Sequence, residues 1–237
     1  MKNKEPIMQQ NLQELIDNSD IAMISWNNLG FEERADVLQH WTQQLPMNIA
    51  AMVKFQCLNA LEYAASFKLM LGPTGETNEL YCCGRGVFII TAQEGVVEEA
   101  IVGQLAAALV CGNSILLCIP DIQYAEQIKI QLEQLGCIAG VITVVNINYL
   151  YGLVNHPQTA GVAYCGDING AQKLARQLAQ REGVLAQLIS EVDGTVLPII
   201  GSQRYCLRFV TERTRTINIT AVGGNATLLE LGNGETV

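Results

Sequence analysis

The feature that most constrains this chain is the alternation of short apolar runs with helical segments between residues 86 and 189. The apolar runs have the length of strands, and three intervening segments carry apolar residues at helical spacing. The predicted strands are 86–91, 114–119, 141–145, 161–165 and 184–189, and the predicted helices are 96–111, 122–135 and 168–180. Strands that are apolar on both sides predict a parallel sheet with helices on both faces and right-handed crossovers. The predicted fold class is therefore α/β, a Rossmann-like doubly wound sheet.

The regions that flank this core have different patterns. Residues 10 to about 70 favour helices: one covers 31–45 and stops at Pro46, and the next apolar stripe ends at Gly72-Pro73. The segment LGPTGETN at 71–78 predicts a linker, because glycine and proline fit neither a helix nor a strand ladder. We therefore divide the chain into a helical connector at 1–70, the α/β domain at 71–203, and a β-flap with a C-terminal strand at 204–237.

The third region alternates like a two-stranded antiparallel hairpin. Its predicted strands are 205–210 and 215–222, and a short strand follows in the tail. A hairpin added to a finished sheet cannot bury both faces alone, so we expect it to lie on another domain or subunit. It carries four of the eight arginines, Arg204, Arg208, Arg213 and Arg215. They indicate either a carboxylate-bearing partner or a charged edge that resists aggregation.

Composition narrows the classes of function. Hydrophobic residues make up 49% of the 237 residues and charged residues 16%, and 14 basic against 23 acidic residues give a net charge of −9. We expect no binding to nucleic acid, where affinity comes from neutralised phosphates. No apolar run has the length of a membrane span, and no apolar signal core follows Met1, so we expect a cytoplasmic protein.

Reactive residue types are present without the spacing that their chemistry needs. The eight cysteines show no regular framework, so we expect reduced thiols that pack as small apolar groups. With only His40 and His156, no tetrahedral metal site can be drawn. The loop TAQEGVVEEA after the first strand carries glutamates where a dinucleotide site needs glycines and bare amides. We therefore predict no catalytic residue and no metal site.

Three segments resemble the cofactor domain of the aldehyde dehydrogenase superfamily. AALVCGNSILLCIP at 107–120 is similar to its helix-to-strand passage, AYCGDINGAQKLA at 163–175 to its AFTGS turn, and VLAQL at 184–188 to the strand with its catalytic glutamate. The resemblance implies that the family's ribose-binding lysine falls on Cys118, its pyrophosphate-site serine on Asp167 and its general base on Gln187. Because a carboxylate at a helix start opposes phosphate, we expect a retained fold and no cofactor in this domain.

Two further segments, LGPTGETN at 71–78 and INITAVGGNATLLELG at 217–232, resemble the C-terminal domain of proline utilization A, a family of large bacterial flavoenzymes. That family joins an FAD-dependent proline dehydrogenase to an NAD-dependent dehydrogenase of glutamate semialdehyde. Its C-terminal domain covers the cavity through which the intermediate passes. The resemblance implies a non-catalytic lid, and it leaves peripheral membrane association of the parent protein open.

The same resemblance implies the partners of the chain. They are the catalytic modules of the parent polypeptide and, through the flap, a second copy in a homo-oligomer. The interface candidates are Arg204, Arg208, Arg213, Arg215, Asn218, Gly223, Gly224 and Asn225.

Two other functions stay open on the sequence alone. One is a free-standing NAD-dependent oxidoreductase that uses Cys165 or Cys206. The other is a regulatory module that senses a small ligand at the old cofactor cleft. Whether the natural polypeptide begins at Met1 is open as well.

Overall fold

The computed structural model describes residues 5–218, with side chains from residue 12 onward. The helices are α1 (Glu5–Asn28), α2 (Gly30–Trp41), α3 (Met47–Tyr63), α4 (Glu98–Val110), α5 (Ile122–Gln134), α6 (Leu150–Asn155) and α7 (Ile168–Gln180). The strands are β1 (Lys68–Met70), β2 (Glu76–Gly84), β3 (Val87–Ala92), β4 (Ser114–Cys118), β5 (Ile142–Val144), β6 (Thr159–Cys165), β7 (Gln187–Glu191) and β8 (Val210–Asn218). Within this range, no helix has the length and apolarity that crossing a membrane requires.

Five strands form the parallel sheet expected from the sequence. Their order is β5-β4-β3-β6-β7, and all four neighbouring pairs are parallel. The chain starts in the middle at β3, adds β4 and β5 on one side, and then adds β6 and β7 on the other, which is a doubly wound topology. β3, β4 and β6 are buried along their whole length because helices cover both faces. The predicted α/β fold class is confirmed.

The N-terminal helices belong to the same core. Trp26, near the end of α1, is fully buried in the cluster on one face of the sheet, together with side chains of α2, α3, α4 and α5. Leu12 and Ile16, earlier in α1, are buried in the cluster on the other face with α6 and α7. Between them α1 runs along the amino-terminal edge of the sheet, where the side-chain oxygen of Asn27 accepts the N–H of Gly84.

The flap differs from the predicted hairpin. Tyr205–Arg208 is a 3-10 helix rather than a strand, and Val210–Asn218 is one continuous strand rather than a turn and a strand. The helix forms because Tyr205 and Phe209 point to the same side, into the core, where their rings lie 5.1 Å apart. β8 pairs antiparallel with β2, and β2 with β1, so the flap is a three-stranded sheet. The hairpin prediction was wrong because the partner of β8 lies far away in the sequence.

Three boundaries also differ from the prediction. The helical stripe ends at Tyr63, since Lys68–Met70 already belongs to the flap sheet. The predicted linker at 71–78 is the return between β1 and β2, and its last three residues are part of β2. β7 begins at Gln187, three residues later than expected, because the guanidinium of Arg181 holds the preceding segment by donating to the carbonyl of Val184.

Asn113 joins the flap to the parallel sheet. This buried side chain accepts the N–H groups of Arg85 (2.7 Å) and Gly86 (3.2 Å) through its oxygen. Its nitrogen donates to the carbonyls of Ala108 and Phe209, at 2.9 Å each. One amide therefore uses all of its hydrogen-bonding capacity to hold the end of α4, the β2–β3 turn and the start of β8 together.

Arg34 ties the N-terminal helices to the same place. Its guanidinium is 1% exposed and donates to the carbonyls of Val110 (2.9 Å), Trp26 (3.3 Å) and Asn27 (2.7 Å). These carbonyls lie in the last turns of α4 and α1, so the cation lies at the negative ends of two helices. Burial lowers the pKa of Arg34 to about 10, which leaves it charged at neutral pH.

Replacing Asn113 by alanine leaves the N–H groups of Arg85 and Gly86 and the carbonyl of Phe209 without this partner, at about 1–3 kcal/mol for each group. We expect the free energy of unfolding, measured in urea, to fall by at least about 3 kcal/mol. The control is Asn148→Ala at an exposed position, which should change it by less than about 0.5 kcal/mol. Equal unfolding midpoints for the two variants would contradict this role of Asn113.

Candidate functional site

The carboxyl ends of the parallel strands are the place where α/β proteins of this topology bind nucleotides. The strand order reverses between β3 and β6, and a crevice of about 410 Å³ opens there, lined by Gln93, Cys165 and Thr195 among others. A second cleft of about 380 Å³ opens beside it, toward the end of β4. Its lining includes Glu94, Glu98, Asp121 and Tyr124. This edge is the candidate site.

The start of α7 is already filled by the chain's own side chains. Asp167 precedes α7, and its carboxylate accepts the N–H of Gly170 at 2.6 Å. Gln93, from the loop after β3, accepts the N–H of Asp167 at 2.8 Å through its side-chain oxygen. The bond from Gly170, helped by Gln93, lowers the pKa of the Asp167 carboxyl, so this group is ionised at neutral pH. The amides that would bind a phosphate are occupied beside a fixed negative charge.

Cys118 lies at the carboxyl end of β4, as the sequence predicted, but it does not face an open cleft. Its side chain is fully buried, and its sulfur lies 3.7 Å from the carbonyl oxygen of Asn146. Burial raises the pKa of this thiol to about 12. A neutral, enclosed thiol offers no positive charge to a ribose or a phosphate.

Gln187 lies at the opposite edge of the sheet. In the pairing of β7 with β6, Gln187 is opposite Gly161 and Glu191 is opposite Cys165. Gln187 is therefore at the amino end of β7, where its side-chain oxygen accepts a hydrogen bond from Arg85 at 3.1 Å. The structure brings Cys118 and Asp167 to one edge and leaves Gln187 out. The acidic residue at the carboxyl end of β7 is Glu191.

The carboxylate of Glu191 is held by the loop that follows it. Glu191 is 1% exposed, and one of its oxygens accepts the N–H groups of Ile199 (2.7 Å) and Ile200 (3.1 Å). The other oxygen accepts the N–H of Asp193 at 3.2 Å. Sequence analysis missed this residue because β7 was expected too early. The sequence signal that could have identified it is a glutamate at the end of an apolar strand. A carboxylate buried at such a position has to accept hydrogen bonds from nearby donors.

Of the other reactive groups, Cys165 lines the crevice at this edge, whereas the sulfur of Cys206 lies at the carbonyl of Asn59 in α3. Burial raises the pKa values of the Cys165 and Cys206 thiols to about 11, so both are protonated and weakly nucleophilic at neutral pH. His40 is exposed on α2, and His156 Nε2 lies 3.0 Å from the side-chain oxygen of Gln13. Among the described residues, no three His, Cys, Asp or Glu side chains form a group that could hold a metal ion.

The interface candidates lie on the flap and at its base. Arg213 and Arg215 are on β8, whereas Arg204 and Arg208 are on and beside the 3-10 helix, and all four are exposed. Asn218 is the last residue of β8. The remaining candidates, Gly223, Gly224 and Asn225, lie outside the described residues.

The fold is like that of aldehyde dehydrogenases. The solved NAD-dependent benzaldehyde dehydrogenase from Corynebacterium glutamicum superposes with a TM-score of 0.66 and 14% identity, over 78% of this chain and 46% of that chain. A mutant of Bradyrhizobium japonicum proline utilization A (PutA) superposes with a TM-score of 0.70 and 22% identity, over 81% of this chain and 24% of that chain. No protein-family model matches the chain.

Sequence comparison with curated proteins shows which protein the chain is related to. The bifunctional protein PutA of Rhizobium meliloti is 26% identical over 162 residues, which are 68% of this chain and 12% of that protein. The bifunctional protein PutA of Escherichia coli is 25% identical over 197 residues, 83% of this chain and 13% of that protein. The chain thus spans about an eighth of the length of these relatives. It is a PutA-related domain with an aldehyde dehydrogenase-like fold, and the resemblance stated from the sequence is confirmed.

Replacing Glu191 by glutamine puts an NH₂ group where the backbone presents N–H donors. We expect a loss of about 2 kcal/mol in the free energy of unfolding, because at least one buried donor loses its charged acceptor. Glu94→Gln, at an exposed position of the same edge, should change it by less than about 0.5 kcal/mol. Urea unfolding followed by circular dichroism measures both, and an unchanged midpoint for Glu191→Gln would refute the structural role of this carboxylate.

Proposed function

We propose that this chain is the non-catalytic C-terminal domain of a bifunctional, proline-catabolic flavoenzyme of the PutA type. The parent converts proline to glutamate through pyrroline-5-carboxylate and its open form, glutamate semialdehyde. This domain is a structural lid over the cavity through which that intermediate passes, and the flap is its interface. The catalytic modules of the parent hold FAD and NAD, and this domain holds neither.

The observation that carries the proposal is the filled start of α7. A dinucleotide needs free amides at this helix start and an environment that tolerates its negative pyrophosphate. Here Gln93 and Asp167 occupy two of those amides, and the carboxylate of Asp167 adds a negative charge. The neighbouring cleft is lined by Glu94 and Glu98. The residues present do not fit NAD, so no step of a dehydrogenase reaction can be derived for this edge.

A lid requires shape and rigidity rather than acid–base groups, and the internal contacts supply both. Asn113 links the flap to the end of α4, and Arg34 links the same end to α1. Glu191 fixes the loop between β7 and the flap. These groups are buried and serve the chain's own backbone, which supports a structural rather than a catalytic role.

The flap also supports a docking function. Seven of the nine residues of β8 and all three of β1 are exposed, on a sheet of only three strands. Such a sheet buries too little apolar surface by itself, so it is expected to be covered in the complete protein. The covering surface belongs to the catalytic modules, with a second copy of the chain as a further contact.

Titration of the isolated chain with NAD in a calorimeter tests the non-catalytic assignment. We expect no saturable heat at millimolar NAD, and no reduction of nicotinamide when an aldehyde is added, because the phosphate-binding amides are occupied. An aldehyde dehydrogenase under the same conditions is the positive control. Saturable binding or turnover would overturn the assignment and favour a free-standing oxidoreductase.

A further inference from the structure

We propose that the flap sheet docks through the face that carries Arg213, against a carboxylate-bearing surface of the catalytic modules, and that its opposite face lines the enclosed cavity. This inference rests on the proposed lid function. Beyond that function, it assigns one face of the flap sheet to the partner and the other face to the passing intermediate.

The register of β2 and β8 defines the two faces, because successive side chains of a strand point to opposite sides. Tyr81 is paired with Arg213, and Glu79 with Arg215, so these side chains share one side. We call this side the arginine face; its members are Leu69, Thr77, Glu79, Tyr81, Cys83, Thr211, Arg213, Arg215 and Ile217. The other side is the threonine face, with Lys68, Met70, Glu76, Asn78, Leu80, Cys82, Gly84, Val210, Glu212, Thr214, Thr216 and Asn218.

Charge indicates what covers the arginine face. The chain has 23 acidic and 14 basic residues, yet the guanidinium of Arg213 makes no ion pair or hydrogen bond with any residue in the described range. The single ion pair found in that range joins Arg215 to Glu79. An exposed guanidinium with no carboxylate partner among residues 12–218, on a chain rich in carboxylates, is complementary to acidic groups of another surface.

The arginine face also has the composition of a contact surface. Arg215 is held in place by Glu79, and its guanidinium carbon lies 5.7 Å from the centre of the Tyr81 ring. Leu69 and Ile217, on the same face, are 70% and 39% exposed. Arginine and tyrosine are enriched among the residues that dominate binding energy, and a preformed arginine loses less entropy on docking.

The threonine face suits a cavity wall. Its centre consists of Asn78, Leu80, Thr214 and Thr216, which carry no charge, and its charged members Lys68, Glu76 and Glu212 lie around this centre. The intermediate carries a carboxylate, and an unpaired arginine would bind it and delay its transfer. The uncharged centre of this face carries no guanidinium that would hold it. The two faces therefore divide the two tasks of a lid, attachment on one side and passage on the other.

Adjacent residues of β8 provide a matched test, since Arg213 and Thr214 are both exposed and lie on opposite faces. The complete polypeptide that carries this domain is assayed for the fraction of intermediate captured by an external aminobenzaldehyde trap during proline oxidation. We expect Arg213→Glu to raise the captured fraction several-fold, because like charges then face each other at the docking surface. We expect Thr214→Glu to leave the captured fraction near the wild-type value, and Arg213→Lys to give a value between those of wild type and Arg213→Glu.

Deletion of the whole domain separates this inference from the proposed function. If deletion leaves the captured fraction unchanged, the lid function itself is refuted. If deletion raises it, and Thr214→Glu raises it as much as or more than Arg213→Glu, the lid stands and the assignment of faces is overturned. Equal melting temperatures of the variants and the wild type establish that the substitutions act on docking rather than on folding.

Discussion

The side-chain amide of Asn113 is the interaction on which the rest of the structure depends. It is fully buried and makes four hydrogen bonds, to backbone groups of α4, the β2–β3 turn and the segment before β8. Gly112 makes this convergence possible, because its φ of 89° turns the chain sharply, and a Cβ there would lie 2.3 Å from the side-chain oxygen of Asn27. The orientation of the flap relative to the parallel sheet follows from this one buried turn.

At the edge where folds of this topology bind nucleotides, the chain's own side chains satisfy the backbone donors. At the start of α7, a glutamine and an aspartate take the place that a phosphate would fill. At the end of β7, backbone amides surround the carboxylate of Glu191. Donors left bare in a closed crevice would cost free energy, so these internal acceptors stabilise the fold.

Sequence reasoning placed part of this edge and misplaced the rest. Cys118 was expected at the end of one strand and Asp167 in the turn after another strand. Both lie there, because each of these strands is an apolar run that the sequence shows clearly. Gln187 was expected beside them and lies at the other end of β7, since a shift of three residues moves a side chain about 10 Å along a strand. The guanidinium of Arg181 that holds the carbonyl of Val184 also donates to the carbonyls of His156 and Thr159, and no local pattern contains those longer-range bonds.

The sequence by itself determined the parallel α/β core, because apolar periodicity and helix caps such as Asp121 are local properties of the chain. It also determined the relationship to PutA, through short segments such as GPTGETN. Only the tertiary structure decided the flap, in which β8 pairs with a strand more than a hundred residues earlier. Strand pairing depends on backbone groups that every residue has, so the identity of a distant partner is set by the packing of the whole molecule rather than by the alternation of its own side chains.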